Sequence, residues 1–262
     1  MDADNEQRPL LWRIVPDVVA FALGLGVTWM FGWHTGDLVW SLWLSSLVIG
    51  YLTIVSTIGA GLYLGGALVL QGDVPAQRRP TVILIGLAVA FFFFAFFSFH
   101  FCAFHAAHAS FLTSFFPLEG LPKNSFSGAF THPILLWKTA VRDLFPAYGA
   151  FLIPAIVAER RYVFASAIGA VRIARAETGE MPLAGLWRPG QDRRQALSEP
   201  FSRPYINVVR MHLLIFFFAA CHALKIESFF VFATVYFVYF FPWGTCRDVW
   251  RRRDAIAPSS SA

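Results

Sequence analysis

Histidine is the residue type in this chain best suited to chemistry, and three of the seven histidines fall in one short stretch, FSFHFCAFHAAHASF, residues 98–112. The surroundings of His100, His105 and His108 are otherwise apolar and rich in phenylalanine. A neutral imidazole ligates zinc, copper, iron or haem, and a metal site takes about three or four such donors, or two axial ones for a bis-histidine haem. At about 100° per residue, His105 and His108 lie roughly 140° and 80° around a helix from His100, so the three share one broad face. His222, from a later apolar segment, completes a candidate set with His100 and His108, and His105 and His212 stand in reserve. Cys102 and Cys221 lie close to these positions in sequence and offer a soft ligand or a disulfide. No compact spacing such as HxxEH fixes the geometry. Three other uses therefore stand beside ligation: a hydrogen bond to a quinone or lipid head group, a proton path, and a histidine that only ties one helix to another.

These residues need elements to hold them, and the composition says which kind. Hydrophobic residues make up 57% of the chain, charged residues only 14%, and there are 29 Phe and 9 Trp. Mean hydropathy is +0.57. That balance belongs to an all-α membrane protein rather than a soluble domain. The net charge of +5 does not point to nucleic acid, because the basic residues sit between apolar runs and form no basic, aromatic-interleaved face. Three cysteines are too few for a disulfide scaffold. No nucleophile and base stand at a defined spacing, so whether the chain is an enzyme stays open; one acting on a quinone or lipid ranks below the other readings.

A spanning helix needs about 20 apolar residues, and six segments meet that length: 11–32, 38–70, 81–116, 133–157, 205–225 and 227–246. They predict a single transmembrane domain over 1–262, placed in the inner (plasma) membrane with the bilayer as its first partner. Asp2, Asp4 and Glu6 precede the first segment and no small-residue cleavage pattern follows it, so it is expected to stay as an anchor. With the N-terminus inside, sixteen arginines fall on the cytoplasmic side against only Lys123 and Lys225 outside, so both termini are predicted to be cytoplasmic. Segments two and three exceed the bilayer, so the second must tilt, project beyond the lipid or break, and GAGLYLGGA (59–67) offers the break. Its Gly61 and Gly65 form a GxxxG pair suited to helix packing or a helix-mediated oligomer. Residues 159–203 read as a cytoplasmic basic loop or interfacial helix, or as an extension of the fourth helix, with Phe164, Ile168 and Val171 at helical spacing among Arg161, Arg172 and Arg175.

In this layout six histidines lean toward the outer side. A fourth helix descending from outside puts Lys138, Arg142 and Asp143 in its outer third to middle, as polar intramembrane groups facing a pocket between helices three, four and five. Arg142 and Asp143 are expected to pair, or to snorkel. Trp33, Trp40 and Trp43 suit an aromatic belt near the outer boundary.

Three stretches, FGWHTGDLVWSLWLSSLVIGY, FHFCAFHAAHASF and PYINVVRMHLLIFF, resemble an uncharacterised family of multi-pass membrane proteins, domain of unknown function 6498. The resemblance implies a helical membrane protein and brings no reaction with it. In the family pattern a histidine is followed by another eight residues on, matched by His100 and His108, and a third-stretch histidine is matched by His212. Cys102 stands at the usual glycine, Ser45 and Ser46 stand where an acidic residue is usual, and Asn207 replaces an arginine. His105 is particular to this sequence. The sequence thus leads to two accounts: a membrane protein binding a metal or haem through the histidine cluster, and a transporter or scaffold subunit whose histidines are structural.

Overall fold

The computed structural model describes residues 11–71, 74–122 and 124–177, with scattered positions between 209 and 246. The described residues are helical, and no strand occurs among them. Helix α1 runs Leu11–Met30 and α2 runs Thr35–Gln71. The turn between them is chemically specified. Gly32, at φ +59°, takes the left-handed position after α1. The amides of Gly32 and Trp33 donate back to the carbonyls of Trp29 and Thr28, closing the helix end in a Schellman pattern. Asp37 opens α2 by accepting the backbone N–H of His34 at 2.9 Å, a carboxylate at a helix N-terminus.

Helix α3 runs Arg79–Phe115, with Pro80 in its first turn, where the missing amide costs no helix bond. Of the ways the overlong second segment could fit a bilayer, the break at its glycines does not occur. Both α2 and α3 are unbroken over 37 residues, about 55 Å each. GAGLYLGGA stays helical because nothing interrupts its backbone ladder: glycine weakens a helix without removing a hydrogen bond, whereas proline removes one. The two helices pack antiparallel. Gly50 meets Phe101, Ser46 meets His105, and Trp40 reaches the end of α3 at Phe116. The close approach needs Gly50, since a Cβ there would sit 2.1 Å from Cζ of Phe101. The Phe101 ring is buried and has nowhere to swing. Gly50→Ala is expected to cost about 1–3 kcal/mol through overpacking, read as lower thermal stability of the purified protein in detergent.

The fourth segment departs from the expected single descending helix. Helix α4 (Pro133–Thr139), a π-turn (Ala140–Leu144) and α5 (Phe145–Tyr148) form an arm. Trp137 touches Tyr51, ring centroids 4.9 Å apart, while Tyr148 reaches Asp37, fourteen residues earlier on α2. The arm therefore advances toward the start of α2, against that helix's direction. A 3-10 turn at Gly149–Phe151 then redirects the chain into α6 (Leu152–Val163) and α7 (Ala165–Glu177), which descend along α1 and α2. Arg160 on α6 meets Asp17, and Ser166 on α7 meets Thr57. The reversal was concealed because apolar composition continues through Gly149 and both Pro146 and Pro154. Among the described residues, three helical stretches are apolar enough by length and composition to cross a membrane: Thr35–Leu70, Ala76–Phe115 and Pro133–Arg160.

Of residues 159–203, the described part contributes α7, which packs its Ala170, Ile173 and Ala174 on Ala60 and Leu64 of α2. Phe164, Ile168 and Val171, the apolar stripe expected to lie on the leaflet, are exposed. The small residues win the interface because they let two helices approach closely.

Candidate functional site

The interior between α2, α3 and the arm is aromatic with a few polar groups set into it. Trp40 and Trp43, expected in a boundary belt, are instead fully buried. An indole can lie in a core when its one N–H finds an acceptor. Trp40 donates to the Phe116 carbonyl at 2.9 Å and Trp43 to the His105 carbonyl at 3.1 Å. Phe126, from the loop before the arm, stacks on Trp40 and meets Trp43 edge-on, both at 5.8 Å.

His105 stands at the centre of this packing with no exposed surface. Its Nδ1 lies 3.0 Å from the Phe101 carbonyl and its Nε2 lies 3.3 Å from Oγ of Ser46. A carbonyl only accepts, so Nδ1 carries a proton, and the neutral ring then accepts the Ser46 hydroxyl through Nε2. The imidazole thereby joins its own helix turn to α2. The Phe101 ring lies 4.2 Å away and the Trp43 ring 5.8 Å away. One turn below, the Tyr51 hydroxyl and the Cys102 thiol are 3.1 Å apart, and Trp137 closes over Tyr51 from the arm.

The three histidines of the opening stretch do not act from one face. His105 and His108 turn inward, with rings 6.1 Å apart at 66°, and both are buried. His100 is only half-buried and lies among phenylalanines, stacked on Phe96 at 5.7 Å and edge-on to Phe104 at 5.0 Å. A face 140° wide is broader than the arc that α2 and the arm cover, so its edge at His100 is left outside. His212 and His222 lie outside the described residues. His34 and His132 are exposed. Among the described residues, no three His, Cys, Asp or Glu side chains are placed to hold a metal ion. Cys102, Cys221 and Cys246 are free thiols, so the Cys102–Cys221 disulfide is not formed.

Lys138 and Arg142 are exposed on the arm rather than turned into a pocket. Arg142 forms a two-pronged pair with the adjacent Asp143, at 2.8 and 2.9 Å. The pair joins neighbours on one element, so it ties no two helices together.

Two polar links were not anticipated from the sequence. Tyr148 donates to Asp37 at 3.0 Å, fastening the arm's end to the start of α2. Asp17, one of the buried polar residues, receives Arg160 at 2.6 Å, joining α1 to α6. A lone aspartate in the first apolar segment was the available signal, because such a charge needs a partner. Breaking a buried pair costs about 3–5 kcal/mol, and Arg160 keeps 28% of its surface exposed, so Asp17→Asn is expected to cost about 2 kcal/mol. Exchanging the two residues (Asp17→Arg with Arg160→Asp) should recover part of that loss in a detergent melting experiment.

Residues 4–240 match the model of a family described as "Family of unknown function (DUF6498)". No curated protein and no solved structure matches the chain.

Proposed function

We propose that this chain, which belongs to the DUF6498 family, is a polytopic membrane scaffold or transport subunit in which the buried histidines lock helices together. The observation that carries the reading is His105, whose two ring nitrogens meet a backbone carbonyl and a serine hydroxyl inside an aromatic core. Ligation through Nε2 would have to displace Ser46 and recruit two or more further donors for a metal ion, or one for a haem. His108 is the neighbouring imidazole, and His100 points away into phenylalanine.

The reading places the whole chain in one transmembrane domain of the inner membrane. Six crossings and two cytoplasmic termini remain its preferred arrangement, supported by the arginine bias and by six apolar segments in the sequence, three of them helices of spanning length. The competing account, a metal or haem site, rests on His100, His105, His108 and His222. It draws support from the His105 Nδ1–H bond to Phe101, an orientation that ligating histidines also use.

The test is substitution with topology mapping. His100→Gln and His108→Gln are expected to leave expression, oligomeric state and metal content unchanged. Reporters fused at either terminus should read cytoplasmic, and one inserted after Lys123 should read external. Loss of a bound cofactor in either variant would overturn the structural role, and a reversed reporter pattern would overturn the orientation.

A further inference from the structure

Away from the histidines, α2 and α3 diverge and leave a groove of about 490 Å³ between them. It runs from Thr57 and Phe93 to Val69 and Val82, and Thr57 supplies the only polar side chain in its lining. Along α2 that is twelve residues, about 18 Å, close to the ~15 Å of one leaflet's hydrocarbon.

Gly61, Gly65, Gly66 and Gly86 face this space, and a Cβ added at any of them would meet nothing within 4 Å. Packing among the described residues therefore does not require those glycines, even though glycine is the poorest interior helix residue after proline. Their absence of side chains is what gives the groove its depth. The described residues of the last two apolar segments do not cover it. Phe216 packs on Phe111, toward the opposite end of α3, and Tyr236 on Phe21 of α1.

The groove ends one turn from a pair of cations. Arg78 is exposed, and Arg79 holds the α2–α3 connection by donating its Nε to the Val74 carbonyl. Two arginines one helical turn beyond the end of an apolar groove suit a phosphate on an acyl chain, because arginine binds phosphate through its forked donors.

We infer that the α2–α3 groove holds one acyl chain of an anionic phospholipid, with its head group on Arg78 and Arg79. The inference rests on the membrane reading above. Helix-lined grooves of this volume fall within the range of ligand sites. At about 1 kcal/mol for each arginine near an anionic lipid, two arginines favour an anionic over a zwitterionic head group by roughly tenfold or more.

The full-length protein, first shown to sediment with membranes after carbonate extraction, would be delipidated in detergent. It would then be titrated with phosphatidylglycerol or phosphatidylcholine and followed by native mass spectrometry. One phosphatidylglycerol per chain is expected, at least roughly tenfold preferred over phosphatidylcholine. Gly61→Leu with Gly65→Leu fills the groove and should abolish the lipid adduct while leaving the melting temperature close to wild type. Arg78→Gln with Arg79→Gln should bring the two lipids to equal binding.

Equal uptake of both lipids by the wild type, or an adduct untouched by the leucines, would overturn the inference. So would a wild-type dimer that the leucines convert to monomer with no lipid adduct, since the groove would then belong to a second copy. Failure to sediment with membranes would instead remove the membrane reading itself.

Discussion

Truncating Trp43 to alanine should destabilise the protein by about 3–5 kcal/mol, the range for a large aromatic removed from a packed core. Trp43 has no exposed surface. It touches Trp40, Phe126 and His105, each with ring centroids 5.8 Å away, so the void would open where α2, α3 and the loop before the arm meet. Those groups are held by chain connections of different kinds and cannot all collapse inward together. Trp43→Phe separates two contributions. It keeps most of the ring contact but removes the 3.1 Å bond to the His105 carbonyl, and about 1–2 kcal/mol is expected. Unfolding in detergent, followed by tryptophan fluorescence or circular dichroism, would rank the two. A loss below 1 kcal/mol for the alanine variant would mean that this interior is not the core described.

His105→Ala is the second large effect, about 2–4 kcal/mol. Hydrogen bonds between membrane helices are worth only ~0.6 kcal/mol each on average, so the two bonds of His105 account for about 1 kcal/mol. The remainder comes from the cavity left beside Phe101 and Trp43. His105→Gln should recover part of the loss because an amide can still reach Ser46. His100→Ala, at the half-buried edge among phenylalanines, is expected within about 0.5 kcal/mol of wild type. The order of these two alanine variants is the discriminating result. If His100→Ala proved the more costly, the inward assignment of His105 would be wrong.

The sequence conveys the class of the fold better than the path of the chain. Long apolar runs read directly as helices: the expected 38–70 and 81–116 are α2 and α3 to within a few residues. Hydrophobic periodicity could not indicate which way each helix faces, because lipid and protein core are equally apolar. That is why the Phe-rich face of α3 around Phe91 to Phe99 is exposed while the neighbouring turn around Cys102 and His105 is buried. It is also why His100 and His105 exchange their expected standing. The reversal at Gly149–Phe151 was illegible for a related reason, since it requires no charge and no polar loop, only a tightened helical turn.

Ser46 and His105 come from separate helices, α2 and α3. The fold brings these two together at 3.3 Å. His105 drew notice only as a candidate ligand, and a serine in an apolar helix looks incidental. Only the register of α2 against α3, fixed by Gly50 on Phe101 and by the two indole bonds, makes them partners.

The central claim is that the buried histidines hold helices and not a metal. Elemental analysis for Cu, Fe and Zn on the purified full-length protein, with its visible absorption spectrum, tests it most directly. The account predicts less than about 0.1 equivalent of any of these metals and no Soret band, where a filled site would give one equivalent. A stoichiometric metal or a Soret band that disappears in His105→Gln or His108→Gln would contradict it.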